Sequence, residues 1–267
     1  TCLCGTLDVL FWMGSTAMSS SPFHIYIITG ESSGDYHAGM LLKSLKSQMP
    51  SIIARGWGGS ELLKAGAAIE VNYKDANFMG FVEVAKNIIP ILGLFRKTKK
   101  SILQFQTDAL LLVDYPGFNL RMATWAKKQG IPVYYFIAPQ VWAWKEKRVQ
   151  ILRACVKKLF VILPFEKAYF KNHQIDASYY GHPLVQKISS FQCKPDFIKQ
   201  HGFDNRKIIA ILPGSRKQEI EQLLPIYLAA TKNVTEFQYA ISGIGFHKGL
   251  YEASLLRAGH PGIVVYD

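Results

Sequence analysis

The chain has 267 residues, is 49% hydrophobic and carries a formal net charge of +12 at pH 7. That length supplies core for two domains at the usual ~100–200 residues each. The basic balance suits a phosphorylated substrate, an anionic membrane surface or nucleic acid. Nucleic acid ranks lowest, since there is no Arg/Lys repeat or zinc-finger spacing and the aromatics sit in apolar runs. Four cysteines, Cys2, Cys4, Cys155 and Cys193, form no regular framework and fit a reducing cytoplasm, and Cys2-x-Cys4 has no second ligand pair for zinc.

Residues 1–17 read as an upstream extension, with Met18 the more natural start: Val9 to Met13 is too short to span a bilayer and lacks the basic start of a secretory signal. No other apolar run reaches the ~18–20 residues of a membrane-crossing helix. Ile25 to Thr29 is an apolar strand that breaks at Gly30-Glu31-Ser32-Ser33-Gly34-Asp35. Ala38, Leu41, Leu42 and Leu45 then recur at helical spacing, with Gly34-Asp35 capping that helix. Ile52 to Ala54 begins a second strand that runs into Gly56, Gly58 and Gly59, and Glu61 to Ala65 is a short helix. The Gly58-Gly59 pair suits either a close backbone approach to a ligand or a plain turn.

The apolar stretch from Phe78 through Phe95 ends in Arg96-Lys97-Thr98-Lys99-Lys100. It fits an interfacial helix and a core helix with a solvated end equally well, and Pro90 argues against one straight helix. Ala109 to Val113 is a buried parallel strand that ends in Asp114, before Tyr115-Pro116-Gly117-Phe118-Asn119 opens a helix. Ile131 to Ile137 is the next strand and Ala138 to Trp144 its loop, followed by a helix over 148–155, a strand over 159–163 and another helix from Pro164. Trp142 and Trp144 suit core packing better than a wall for acyl chains. Tyr179 to Leu184 closes the first domain, with His182 in a structural hinge. Residues 18–188 form this domain, 189–205 a polar linker and 206–267 a second domain.

The second domain repeats the opening of the first: Lys207 to Leu212 is a strand that breaks at Pro213-Gly214-Ser215-Arg216 and enters a helical pattern that Pro225 divides in two. Strands follow at 237–241 and 262–266. The predicted class is α/β, with two Rossmann-like domains facing each other across a cleft, where open α/β sheets bind ligands. The second domain has too few elements to close its own sheet.

Neither turn is a Walker loop or a dinucleotide fingerprint, and no Asp-x-Asp pair is present to clamp a metal on a diphosphate. Phosphate charge must then be met by cations and by backbone amides at helix starts. Gly214, Ser215 and Arg216 supply a permissive turn, a hydroxyl, amides and a forked cation. Glu219 suits orientation of Arg216, a ribose hydroxyl, or a capping box with Ser215. Glu31 and Asp114 end adjacent strands, and either suits the base that an inverting sugar transfer needs, or a capping role. Ser33 and Asn119 suit sugar hydroxyls or helix caps.

Seven motifs in order resemble the lipid-A-disaccharide synthase family: Gly30-Glu-Ser-Ser-Gly-Asp35, Phe78-Met-Gly-Phe-Val-Glu83, Asp114-Tyr-Pro-Gly-Phe-Asn119, Pro139-Gln-Val-Trp-Ala-Trp144, Leu163-Pro-Phe-Glu166, Gly181-His-Pro183 and Leu212-Pro-Gly-Ser-Arg216. The resemblance runs from about Phe23 to the end and implies a GT-B fold. It implies an inverting transfer, without metal or cofactor, of 2,3-diacylglucosamine from UDP-2,3-diacylglucosamine to 2,3-diacylglucosamine 1-phosphate. It further implies work at the cytoplasmic face of the inner membrane of Gram-negative bacteria as a peripheral protein, and leaves room for a homodimer. By motif match Glu31 and Ser33 face the acceptor, Met79 lies near its acyl chains, and Arg216 with Glu219 serves the donor. Many family members carry Asp where this chain has Gly117, so the base falls to Asp114 or Glu31. The family also continues beyond the equivalent of Asp267, so the chain reads as a fragment. Rival readings are another GT-B enzyme on UDP-N-acetylglucosamine, either an epimerase or a peptidoglycan-type transferase, or a non-catalytic module that holds anionic lipid.

Overall fold

A computed structural model describes residues 22–75, 88–143 and 145–266. The chain divides into two compact units, Thr1–Ser189 and Ser190–Asp267.

The first unit is built from β1 (Phe23–Thr29), α1 (Ser32–Gln48), β2 (Ile52–Gly58), α2 (Ser60–Lys64), β3 (Ala67–Asn72), α3 (Ile88–Gln104), β4 (Ala109–Val113), α4 (Pro116–Lys128), β5 (Val133–Phe136), α5 (Arg148–Cys155), β6 (Lys158–Val161), α6 (Pro164–Asn172), β7 (Ala177–Tyr179) and α7 (Pro183–Ser189). Its seven strands lie in the order β3-β2-β1-β4-β5-β6-β7 and every pair is parallel. Parallel strands need helical crossovers, so both faces of the sheet are covered and the central strands are apolar on both sides. Tyr26 and Ile28 of β1 join Leu110 and Leu112 of β4 in one core, with Phe95 and Ile102 of α3 and Met122 and Ala126 of α4. Ile25, Ile27, Ala109, Leu111 and Val113 point the other way, onto Ala38, Leu42 and Leu45 of α1 and Leu62 of α2.

The second unit carries α8 (Phe197–Gln200), β8 (Ile208–Ile211), α9 (Lys217–Thr231), β9 (Gln238–Gly243), α10 (Lys248–Ala258) and β10 (Ile263–Tyr266). Its three parallel strands run in the order β10-β9-β8. Ile220, Leu224 and Leu228 of α9 pack with Ile211, Tyr239, Ile241 and Tyr251. This stripe holds α9 on the sheet as one helix, where Pro225 predicted a break. Pro225 is exposed, so the hydrogen bond its ring removes is lost on the side that water can reach.

The described part of the 78–100 stretch faces the core. Phe95, Thr98 and Ile102 are buried, whereas Arg96, Lys97 and Lys100 are solvated. Pro90 falls in the first turn of α3, where a missing N–H costs the helix nothing. Among the described residues no helix is long and apolar enough to cross a membrane.

Asp35 is 2% exposed and lies inside α1, whose N-cap is Glu31, so Gly34-Asp35 does not cap that helix as expected. Its Oδ1 accepts from the amides of Gly59 (2.7 Å) and Leu62 (3.1 Å), and its Oδ2 from Glu61 (3.0 Å). The Gly58-Gly59 turn therefore approaches a carboxylate of this chain, and that carboxylate ties β2 and α2 to the start of α1. Asp35→Ala leaves these amides without an acceptor in a site closed to water. It is expected to lower unfolding stability by about 3 kcal/mol in urea titrations, with Asp35→Asn losing less because one acceptor oxygen remains.

Candidate functional site

The crossover from β1 runs through α1 to β2 on one side, while β4 lies on the other side of β1 and sends its helix to the opposite face. The winding reverses between β1 and β4, and the crevice outside the carboxyl ends of these strands is where such sheets take ligands. Thr29 pairs with Val113 at that edge, so the next residues, Gly30-Glu31 and Asp114-Tyr115, meet there.

Asp114 and Tyr115 both adopt left-handed backbone, with φ of 46° and 48°, and Ile137 at the end of β5 has φ of 60°. Each such residue costs roughly 1–3 kcal/mol and persists where its surroundings over-determine it. The Asp114 N–H donates to the Phe136 carbonyl at 3.1 Å. The Asp114 carbonyl accepts from the Tyr135 hydroxyl and from Asn119 Nδ2, both at 2.6 Å. The Tyr115 ring lies directly against Gly30: a Cβ there would sit 2.1 Å from the ring, so no larger residue fits. Burial raises the Tyr115 hydroxyl above its ordinary pKa, and the charge of Glu31 raises it further.

Glu31 is half-buried at the N-cap of α1, with extended backbone, and makes no side-chain capping bond to that helix among the described residues. Ser33 is exposed in the first turn of α1. Asn119 is fully buried, and its Nδ2 also reaches the Val113 carbonyl at 3.3 Å. It stands behind the Asp114 turn and braces it, out of reach of a sugar hydroxyl. Met79 lies outside the described residues.

In the second unit Gly214 has φ of 103°, and a Cβ there would meet Glu219 Oε2 at 2.6 Å. Glu219 uses the space that the glycine leaves. Its Oε2 accepts from the amides of Ser215 (3.0 Å) and Arg216 (3.1 Å), while Oε1 meets Arg216 Nη1 at 3.2 Å. Two amides expected to be open to a phosphate therefore hold a carboxylate of the chain itself. These two amides, then the Arg216 guanidinium, hold Glu219 below the ordinary glutamate pKa. Arg216 is the N-cap of α9, so the capping box with Glu219 is built on Arg216 rather than on Ser215, and the Arg216 side chain is 59% exposed.

The family model described as lipid-A-disaccharide synthetase matches residues 25–243. The chain belongs to this family. It is 42% identical over 217 residues to lipid-A-disaccharide synthase 1 of Legionella pneumophila subsp. pneumophila, covering 79% of this chain and 56% of the relative. It is 38% identical over 213 residues to the lipid-A-disaccharide synthase of Syntrophus aciditrophicus, again 79% of this chain and 56% of the relative. The chain spans just over half the length of these curated relatives. Among solved structures, the UDP-GlcNAc 2-epimerase of Neisseria meningitidis, bound to UDP-GlcNAc, aligns over 92% of this chain and 72% of its own, with a TM-score of 0.61 at 14% identity. At that identity the likeness carries the fold, an α/β architecture of GT-B type, and nothing finer.

Several residues of the lipid-A-disaccharide synthetase motifs act in ways that local sequence does not betray. Glu166 is fully buried, accepting from the amides of Ile162 (3.2 Å) and Leu163 (2.9 Å) and from Trp142 Nε1 (3.0 Å). That contact joins two motifs and holds Trp142 at the surface, 38% exposed against Phe165, where core packing was expected. Trp144 lies outside the described residues. His182 Nδ1 accepts the Leu184 N–H at 3.2 Å, a local turn at the start of α7. Nothing in the local sequence marks Tyr115 or Tyr135 for their contacts: a residue before proline favours extended backbone, whereas Tyr115 is left-handed.

The Glu219 contacts make a pH-dependent cap. A depressed folded-state pKa means that its contribution is present above the ordinary glutamate range and is lost as pH falls through the folded value. Carbon-13 titration of the Glu219 carboxyl is expected to give a midpoint below that of a free glutamate. Arg216→Ala should raise this midpoint only part of the way, because the backbone amides remain.

Proposed function

We propose that this chain is the part of a lipid-A-disaccharide synthase that holds the acceptor crevice and the start of the donor site. In this reading it moves 2,3-diacylglucosamine from UDP-2,3-diacylglucosamine to 2,3-diacylglucosamine 1-phosphate. The observation that carries it, beside family membership, is the meeting of Glu31 and Asp114 at the switch point of the first sheet, around a strained and braced turn. Residues 18–188 would serve the acceptor and the membrane, 189–205 would link, and 206–267 would begin the nucleotide-sugar domain. The solvated Arg96, Lys97 and Lys100 beside an exposed Leu92 support peripheral contact with an anionic inner-membrane surface.

The transfer is a single displacement. Asp114 takes the proton of the acceptor 6-hydroxyl as its oxygen attacks C1 of the donor sugar. The new C1–O6 bond forms while the bond from C1 to the β-phosphate oxygen breaks, and UDP departs with the electron pair, so the anomeric centre inverts. Asp114 is preferred to Glu31 as the base because strained backbone concentrates at reacting groups. Glu31, next to the Tyr115 hydroxyl, then orients the acceptor. The Arg216 guanidinium exchanges Glu219 for a diphosphate oxygen and offsets charge on the leaving group.

The test is mass-spectrometric detection of the tetra-acyl disaccharide 1-phosphate made by the full-length protein. Wild type should form it, and Asp114→Asn should lower kcat by about 100-fold or more. Glu31→Gln should raise KM for the acceptor more than it lowers kcat. UDP release from non-acylated UDP-N-acetylglucosamine with no disaccharide would turn the assignment toward another GT-B enzyme. A larger kcat loss in Glu31→Gln than in Asp114→Asn would move the base to Glu31.

A further inference from the structure

Tyr135 carries a hydroxyl that packing does not require. Its ring is fully buried in β5, within the core that also holds Tyr26, Leu112 and Met122, and a phenylalanine would fill nearly the same volume. The hydroxyl is placed by a longer-range need. It donates to the carbonyl of Asp114, 21 residues earlier, at 2.6 Å, and Asn119 Nδ2 donates to the same oxygen at 2.6 Å. A carbonyl oxygen has two lone pairs, and these two donors match them.

The amide on the other side of Asp114 is held as well, by the 3.1 Å bond from its N–H to the Phe136 carbonyl. The peptide planes flanking the Asp114 Cα are therefore both pinned, and with them the direction in which its Cβ leaves the chain. This matters because a non-glycine residue left to itself abandons φ of 46° for the broad right-handed or extended basins. The following residue would turn with it, and the Tyr115 ring would leave Gly30.

We propose that Tyr135 is a positioning residue of the transfer reaction: together with Asn119 it clamps the Asp114 carbonyl, and the clamped turn presents the Asp114 carboxylate and the Tyr115 ring to the acceptor. Tyr135 is 0% exposed and reaches the substrate only through this backbone. The proposal rests on the reading of Asp114 as the base.

A double-mutant cycle in the full-length protein tests it, with kcat and KM for disaccharide formation and thermal unfolding as readouts. Tyr135→Phe is expected to lower kcat about tenfold with KM changed less than about twofold. In the Asp114→Asn background the same change should cost less than about twofold, because a misplaced base and an absent base are equivalent. Asn119→Ser carried through the same cycle should behave alike, and it decides the matter if Tyr135→Phe unfolds. Equal fractional losses in both backgrounds, an unchanged kcat in Tyr135→Phe, or a fully active Asp114→Asn would each overturn the role of Tyr135 while wild-type turnover leaves the transfer reading standing. A wild type that makes no disaccharide overturns both.

Discussion

A parallel sheet covered by helices on both faces must reverse its winding somewhere, and in the first unit that reversal falls between β1 and β4. Everything else about the crevice depends on it. Because the helices following the two strands leave in opposite directions, their loops separate and open a space at the carboxyl ends. The same geometry brings Gly30-Glu31 beside Asp114-Tyr115, although 82 residues of chain lie between Glu31 and Asp114. A sheet wound in one sense would have closed that space with the next crossover.

Three motif carboxylates share one physical role. Asp35, Glu166 and Glu219 each accept backbone amides where a helix begins: α2 for Asp35, α6 for Glu166 and α9 for Glu219. The amides at a helix start attract any anion, whether a phosphate or a side chain already attached to the chain. For Asp35 and Glu166, both buried, the several amide donors offset the loss of hydration, and the carboxylates serve as ties between elements. Motifs that suggest chemistry on paper are in these places architecture.

The split between what could be read and what could not follows the range of the interactions. β1 and β4 were legible because a strand buried on both faces is a continuous apolar run, and the turns after them were legible from glycine, proline and short polar residues. The edge strands β3 and β7 were not. β7 is the three residues Ala177-Ser178-Tyr179, and β3 opens on two alanines, so neither carries a period against its surroundings. Glu31 and Asp114 could be placed at strand ends from pattern alone. The bracing of Asp114 could not, since a tyrosine inside an apolar strand reads as core, and its hydroxyl finds its partner only through the β4–β5 pairing. Asn119 was visible as a polar residue near a helix start, but its burial behind the turn depends on α4 packing against the sheet.

The two candidate constellations differ in stiffness, and the difference suits what each has to meet. The Asp114 turn is held by buried donors in a medium of low dielectric, where each bond is hard to exchange and the geometry is set before any substrate arrives. Such fixity would serve the base proposed for Asp114, whose effectiveness depends on reaching one proton at one distance. Arg216 is exposed, and its contact with Glu219 is a surface ion pair worth roughly 0–1 kcal/mol, so in the proposed transfer a diphosphate would replace it at little cost. Glu219 meanwhile keeps its two backbone amides, and the loop that carries Arg216 retains its shape while the guanidinium changes partner. In the proposed transfer a rigid turn would suit the base, and an exchangeable guanidinium would suit a leaving group that enters and departs in every turnover.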